Sequence, residues 1–148
     1  MKERLLDAID EQIVALLKEN GKLNNKELAG KIGLSVTPTF ERVKRLERIE
    51  VIMGYTAKIN PKLTGKDLKV VCQVSLKSHQ KDGIDVFEAA VRELKEVSHA
   101  YHVAGAIDYM LIVECADMEA YHAFLRNQLA HIPHIGQVNS SFVMSTLK

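Results

Sequence analysis

The sequence predicts an α+β chain in which three short helices and a small β wing precede a β-α-β-β-α-β sandwich. Three observations predict this fold class. Helix-capping residues recur through the first fifty positions, a basic amphipathic stretch covers Leu34–Ile52, and the hydrophobic period changes to two in the second half. With 148 residues, of which 47% are hydrophobic, the chain is long enough to form two small cores.

The first two helices are predicted from their capping residues. Asp7 is a favourable N-cap, and the helix that it begins ends near Asn20-Gly21. Asn24 caps a second helix, and Glu27 stands three residues later, as a capping box requires. Gly33 ends this helix, which leaves a tight turn before the basic stretch.

The basic stretch predicts a third helix. Ser35 is expected to cap it through its hydroxyl group, and Pro38 falls in the first turn, where a missing backbone donor costs little. An inward face is predicted at three-residue spacing, at Phe40, Val43, Leu46 and Ile49. The N-terminal end and the outer face hold Thr37, Thr39, Arg42, Lys44, Arg45 and Arg48. A short helix, a tight turn and a basic helix predict a helix-turn-helix that docks in a DNA groove, and the alternative is a solvated surface helix.

The alternating segment Val51–Ile59 predicts a short hairpin or wing. Turn residues follow over Asn60–Gly65, which places a domain boundary there. We therefore predict a winged helix-turn-helix domain at 1–58, a linker at 59–68 and a sandwich domain at 69–148.

The second half alternates strands and helices in the ferredoxin-like order β-α-β-β-α-β. The predicted elements are Val70–Leu76, Ile84–Leu94, Val97–Ala104, Tyr109–Cys115, Met118–Leu129 and Val138–Met144. Right-handed crossovers place both helices on one face of the sheet. The other face keeps apolar residues, which are Val71, Met110, Ile112 and Val143. This pattern predicts a covering partner, most simply a second copy of the chain, and the resulting two-fold symmetry suits a palindromic DNA site.

Several classes of function are disfavoured by the sequence. Cys72 and Cys115 lie in apolar alternating runs and are predicted to be buried thiols in a reducing compartment. The six histidines show no convincing metal-ligand spacing, so no metal site is expected. We identify no Gly-rich phosphate loop and no nucleophile elbow, and therefore expect no catalytic residues and no cofactor. Without an apolar signal segment or membrane span, a cytoplasmic protein is expected.

Five segments resemble the Lrp/AsnC family of bacterial and archaeal regulators, the leucine-responsive or feast/famine regulators. They are L-D-x-x-D at Leu6–Asp10, E-L-A at Glu27–Ala29, L-S-x-T-P-x-x-E-R-V-K-R-L-E-R at Leu34–Arg48, G-x-x-D-Y at Gly105–Tyr109, and Ser140–Met144. The resemblance covers essentially the whole chain and is most specific over Leu34–Arg48.

The resemblance implies a regulator that binds double-stranded DNA and dimerises, often building octamers. It also implies an amino acid or related metabolite bound between subunits near the Gly105–Tyr109 turn. The residues that match the DNA-contacting helix are Ser35, Thr37, Pro38, Thr39, Arg42 and Arg45, with Lys44 added from the outer face. The residues that match the effector site are Tyr101, Gly105, Asp108 and Ser140.

The chain departs from the family pattern in two places. Glu50 stands where the family usually has Gly, and a left-handed helix end costs Glu more, so the basic helix is expected to run on or end differently. Ala106 and Ile107 replace an acid and an aromatic in the effector turn, which leaves the effector open.

Two residue roles stay open at this point. Arg42 and Arg45 can fork onto guanine edges or grip phosphates. Asp108 is either a turn residue that bonds the backbone or an acceptor for a ligand ammonium group.

The rival functions are an enzyme similar to sirohaem decarboxylase subunits and a non-specific architectural DNA-binding protein. The enzyme would need His and Arg side chains that converge on an anionic tetrapyrrole. The second half has only Arg92 and Arg126, both on predicted helices, which favours the regulator.

Overall fold

The computed structural model describes residues 5–147 and divides into two compact units between Lys58 and Ile59. The first unit contains α1 (Ala8–Glu19), α2 (Asn25–Ile32) and α3 (Val36–Arg48). The second contains β1 (Leu68–Leu76), α4 (Lys81–Arg92), β2 (Val97–His102), β3 (Tyr109–Cys115), α5 (Met118–Asn127) and β4 (Ile135–Phe142). Short 3₁₀ helices cover Pro61–Thr64 and Leu129–His131. Among residues 5–147, no helix is long and apolar enough to cross a bilayer.

The caps predicted for α1 and α2 are confirmed. The Asp10 amide donates to the Asp7 carboxylate at 2.8 Å, and the Asp7 amide donates back to Asp10 at 3.1 Å. Asn24 and Glu27 form the same reciprocal box at the start of α2. Gly33 ends α2 in the left-handed region, with φ of 72°. Local sequence therefore sets both helix starts and the turn between α2 and α3.

The core of the first unit joins all three helices. Ile13 of α1, Leu28 of α2, and Val43 and Leu46 of α3 form its buried centre. Partly buried aliphatic residues surround this centre, including Ile32 and Val51. Because each helix contributes its apolar stripe to a shared cluster, α3 is held by packing rather than by helix propensity alone.

The inward face of α3 differs from the predicted one. Thr39 is fully buried, and its hydroxyl donates to the Ser35 carbonyl at 2.9 Å. Phe40, predicted to be inward, is 41% exposed. Ser35 occupies the N-cap position, but its side chain makes no capping hydrogen bond. The helix is thus rotated relative to the prediction, because a threonine that satisfies its own hydroxyl can occupy a core position.

The C-terminal end of α3 is a Schellman motif with Glu50 at the left-handed position. Glu50 has φ of 59°, and its amide donates to the Glu47 carbonyl at 3.0 Å. The Val51 amide donates to the Leu46 carbonyl at 3.0 Å, and both side chains join the core. The expectation that the helix would run on or end differently is therefore wrong, because the two hydrogen bonds and the Val51–Leu46 packing hold Glu50 in place.

The predicted hairpin over Val51–Ile59 is not formed. Residues 53–60 form neither helix nor strand. Alternation of apolar residues predicts extended backbone, but a strand also requires a neighbouring strand as hydrogen-bond partner. Tyr55 is instead fixed by its hydroxyl, which donates to the Glu47 carboxylate at 3.0 Å.

The second unit has the ferredoxin-like topology that the sequence predicts. Its four strands lie in the order β2-β3-β1-β4, and each neighbouring pair is antiparallel. The strand and helix limits differ from prediction by up to three residues: α4 begins at Lys81 rather than Ile84, and β4 begins at Ile135 rather than Val138. Gly136 allows this early start, because a Cβ there would lie 3.1 Å from the Ser75 carbonyl oxygen.

The two faces of the sheet are different. On the helix side, alternate residues of β1 and β3 pack against α4 and α5 around Phe87, Tyr121 and Phe124. On the opposite side, called here the open face, β1 and β3 present Val71, Gln73, Met110 and Ile112, all partly exposed. The predicted placement of both helices on one face is confirmed by this packing.

Candidate DNA-binding and effector sites

The side chains of α3 fall into three rows. Thr39, Val43 and Leu46 form the buried row. Arg42 and Arg45 lie on the flank that meets the N-terminal end of α1. The solvent-facing row contains Thr37, Glu41, Lys44 and Arg48, all exposed, and the exposed apolar side chains of Val36 and Phe40 lie beside it. A helix with this division has one exposed surface, mostly polar, free for another molecule.

Arg42 and Arg45 are bound to two aspartates of α1, and we call these four residues the Asp–Arg cluster. Arg42 Nη1 donates to Asp7 Oδ2 at 2.6 Å and to Asp10 Oδ1 at 2.8 Å. Arg45 Nη2 donates to Asp10 Oδ2. Asp10 is fully buried, and a buried charge requires compensating partners. Two guanidinium groups and the Asp7 amide provide them.

The electrostatics of the cluster follow from these contacts. The Asp10 amide and the Arg42 guanidinium lower the pKa of the Asp7 carboxyl group below its ordinary value of 3.8. The Asp7 and Asp10 carboxylates raise the pKa of the Arg42 guanidinium group. Asp7 and Arg42 therefore remain charged at neutral pH, and the contacts of the cluster fix α3 against α1.

The DNA-contacting residues proposed from sequence do not share one environment. Ser35, Thr37, Pro38 and Lys44 are exposed, as contact with a macromolecule requires. Thr39 is buried and its hydroxyl is already bonded, so the prediction that its side chain meets DNA is corrected. Arg42 and Arg45 are partly exposed but engaged by the aspartates.

Lys44 is positioned by its neighbours on α3. Its ammonium group lies 3.0 Å from Glu47 Oε2 and 5.9 Å from the centre of the Phe40 ring. Both partners are on the surface of the helix, so the contacts orient the ammonium group without burying it.

The turn between β2 and β3, residues 103–108, contains most of the predicted effector turn Gly105–Tyr109 and is held by Asp108. The Leu76 amide donates to Asp108 Oδ2 at 2.7 Å, and Asp108 Oδ1 lies 2.8 Å from His79 Nε2. The backbone amide of Asp108 donates to the Val74 carbonyl. The Leu76 amide and, to a smaller extent, His79 lower the pKa of the Asp108 carboxyl group. These contacts favour the turn-forming role for Asp108.

Gly105 lies in the middle of this turn in a conformation that favours glycine. Its φ is 149°, and no atom lies within 4 Å of the position that a Cβ would occupy. Ala106 is exposed and Ile107 is partly exposed. The backbone of the turn is thus open to solvent, while its one acid is already bonded.

Tyr101 and Ser140 do not meet within one protomer. Tyr101 pairs with Met110 on the open face of edge strand β2, where its ring stacks on His99. Ser140 is on the other edge strand, β4, and its hydroxyl lies 2.6 Å from the Tyr121 hydroxyl on the helix side. Three strand spacings, about 14 Å, and the sheet itself separate them.

The Ser140 hydroxyl belongs to a small polar cluster in the core. Tyr121 Oη lies 3.0 Å from Cys72 Sγ as well as close to Ser140 Oγ. Burial raises the pKa of the Cys72 thiol and of the Tyr121 hydroxyl. Cys72 is therefore a protonated, buried thiol, in agreement with its predicted structural role.

Asp10, Phe40 and His79 are the residues that sequence reasoning missed at these sites. Asp10 could be recognised only as a first-turn acid, because its arginine partners lie 32 and 35 residues later. His79 similarly meets an aspartate 29 residues away. Among residues 5–147, no group of three or more His, Cys, Asp or Glu side chains is arranged to hold a metal ion.

Comparison with known proteins defines the class. Residues 6–53 match the winged helix-turn-helix DNA-binding family, and residues 69–148 match the Lrp/AsnC ligand binding domain. The chain is therefore a member of the Lrp/AsnC family of DNA-binding transcriptional regulators, as the sequence predicts.

Individual relatives agree with this assignment. The chain is 40% identical over 147 residues to the leucine-responsive regulatory protein of Haemophilus influenzae, covering 99% of this chain and 89% of the relative. Identity to the protein of the same name from Escherichia coli K12 is 37% over 143 residues, with 97% and 87% covered.

Solved structures show the same fold. A transcriptional regulator of Neisseria meningitidis in complex with L-Met superposes with a TM-score of 0.92 at 33% identity, covering 97% of this chain and 92% of that one. AsnC of E. coli superposes with a TM-score of 0.87 at 27% identity, covering 98% and 96%.

Proposed function

We propose that the chain regulates transcription by binding specific DNA sequences through the exposed row of α3, under control of an amino acid or related small metabolite. The observation that carries the proposal is the division of α3 into a buried row, a flank bound to α1 and a free polar row. A helix that enters a DNA groove must pack on the protein core with one side and be exposed to the DNA on the other.

The DNA-contacting residues are assigned different tasks. Ser35, Thr37 and Pro38 lie at the N-terminal end of α3, where free backbone amides and hydroxyl groups favour a phosphate. Lys44 extends the positive surface along the helix. Arg42 and Arg45 reach phosphates with the N–H groups that the aspartates leave free, because their hydrogen bonds to Asp7 and Asp10 keep them on the α1 flank.

The effector is proposed to bind in the second unit near Gly105–Tyr109. The ligand-binding family match covers this unit, and the similar Neisseria regulator was solved with L-Met. Gly105 provides an open backbone turn, and Asp108 orients it through Leu76 and His79. Tyr101 and Ser140 join one effector site only if a second subunit contributes one of them.

The assembly is proposed to be a homodimer that builds an octamer. The partly exposed apolar residues Val71, Met110 and Ile112 on the open face suit a second copy of the same sheet. We further propose residues 59–68 as the linker between the two domains.

The relatives are named as regulatory proteins rather than enzymes. We propose that this chain likewise has no catalytic activity, and that it acts in the cytoplasm on the DNA that it regulates.

The test is selection of DNA by the purified chain from a random duplex pool, in parallel with and without a mixture of the twenty amino acids. An enriched palindrome whose affinity changes with the mixture supports both parts of the proposal. A palindrome that is indifferent to the mixture supports the DNA part and contradicts the effector part. Absence of enrichment contradicts sequence-specific binding.

A further inference from the structure

An apolar pair lies on the surface of α3 and is not used by the core. Val36 and Phe40 are 46% and 41% exposed and stand four residues apart, so they adjoin on one side of the helix. Thr39 takes the neighbouring core position instead. Phe40 therefore makes a surface that the fold of the first unit does not require.

The setting of this pair suits DNA bases better than another apolar surface. Lys44 lies one turn after Phe40, with its ammonium group 5.9 Å from the Phe40 ring centre. Lys44 belongs to the adjoining exposed row, which also contains Thr37 and Arg48. An apolar pair bordered by cations and a hydroxyl matches a DNA groove, where charged phosphates flank the bases.

In the major groove, the apolar group available for contact is the 5-methyl group of thymine. We infer that Val36 and Phe40 read thymine methyl groups and so make the chain's preferred site depend on thymines at fixed positions. The inference rests on the proposed function and adds to it the base chemistry that this helix recognises.

Helix geometry limits where these thymines lie. Residues four apart are separated by about 6 Å along the axis of α3, and successive bases of one strand by about 3.4 Å. The two side chains therefore reach bases about two steps apart, and each half-site should carry two such thymines or one shared by both side chains.

The test uses the duplex enriched from the random pool by the full chain. Each thymine is replaced in turn by deoxyuridine, which lacks only the methyl group and keeps the pairing and groove hydrogen-bond pattern. For the unmodified chain, one or two replacements per half-site should weaken binding about fourfold each, the effect of losing contact with about one methyl-sized group.

The variant Phe40→Ala should bind the thymine and deoxyuridine duplexes with equal affinity at the position that Phe40 contacts. Val86→Ala is the matched control, since Val86 is 45% exposed on α4 in the other unit. It should retain the full difference between the two duplexes. Phe40→Leu, which keeps an apolar side chain, should retain part of it.

Two results overturn the inference while leaving the proposed function intact. One is an enriched site at which no deoxyuridine replacement changes affinity. The other is a methyl dependence that Phe40→Ala and Val36→Ala both preserve, which would assign the exposed pair to a protein contact instead. Failure to enrich any duplex would contradict the proposed function itself and is seen in the first step.

Discussion

Asp10 connects α1 to α3 within the DNA-binding unit. It receives an N–H from Arg42 and from Arg45 while it is fully buried and completes the capping box of α1. A single carboxylate thus couples the start of one helix to the exposed helix that follows 26 residues later, at Val36. Its role is to position the arginines rather than to contact DNA.

We predict that Asp10→Asn destabilises the first unit by about 2 kcal/mol, because hydrogen bonds to a charged partner are lost while the amide still occupies the space. Hydrogen exchange of the α1–α3 amides in the full chain measures this directly. Asp7→Asn is the control and should have a smaller effect, because Asp7 is half-exposed and asparagine is an equally good N-cap. Equal effects of the two variants would contradict the positioning role.

Glu50 carries an unfavourable backbone conformation at the end of α3. With φ of 59°, it occupies a region that costs a residue with a Cβ about 1 kcal/mol or more relative to glycine. Glu50→Gly should therefore stabilise the first unit by about 1 kcal/mol, seen as slower exchange of its amides. Gly33→Ala, at φ of 72° with open space around it, should destabilise in return. Destabilisation by Glu50→Gly would show that the Glu50 side chain contributes more than the backbone strain costs.

At the scale of elements, Asp108 links the end of β1 to the start of β3 through the Leu76 amide. Its pKa lies below the ordinary value of 3.8, first because of that amide and then because of His79. Because the pKa is lower in the folded state, the charged carboxylate stabilises the second unit at pH values above the ordinary pKa of 3.8. This contribution is lost as pH falls through the lowered pKa.

We therefore predict that Asp108→Asn reduces the loss of stability of the second unit upon acidification below about pH 4. His79→Ala should move the pKa of Asp108 only part of the way back, because the Leu76 amide remains. Hydrogen exchange of the second unit as a function of pH measures the first effect. NMR titration of the Asp108 carboxyl carbon, in the unaltered chain and in His79→Ala, measures the second. A pKa at or above 3.8 in the unaltered chain would contradict the turn-holding role.

The elements whose determinants are local were predictable from sequence. Helix caps and helix ends depend on contacts with residues close in sequence, as at Asp7, Asn24 and Gly33. The period-two runs of β1 and β3 likewise predicted the ferredoxin-like order of elements and the correct limits of β3. The family resemblance was likewise recognisable from short sequence segments, most specifically from Leu34–Arg48.

Features that depend on distant contacts were not predictable. Helical spacing alone could not decide whether Thr39 or Phe40 faces the core, since both lie near the edge of the apolar stripe. Apolar alternation over Val51–Ile59 did not supply the neighbouring strand that a hairpin needs. The Asp–Arg cluster and the Asp108–His79 contact join residues 29 or more positions apart.

At the scale of the whole molecule, the open face determines the expected assembly. Val71 and Ile112 pair across β1 and β3 near the middle of that face. Glutamate at either position should shift the chain to smaller species, because two carboxylates would be buried at a two-fold interface without partners. Sedimentation velocity measures this shift. Val86→Glu on the exposed side of α4 is the matched control, and a sedimentation profile unchanged by Val71→Glu and Ile112→Glu would place the interface elsewhere.

We attribute specific DNA binding by the whole protein to the exposed row of α3. The ratio of affinities for the enriched duplex and for a scrambled duplex of the same composition, at one fixed salt concentration, tests this claim. We predict a ratio of about 1,000 or more for the unaltered chain, and a large fall for the double variant Thr37→Ala, Lys44→Ala with its fold intact by hydrogen exchange. A ratio near one for the unaltered chain, or a ratio unchanged in the double variant, would contradict the claim.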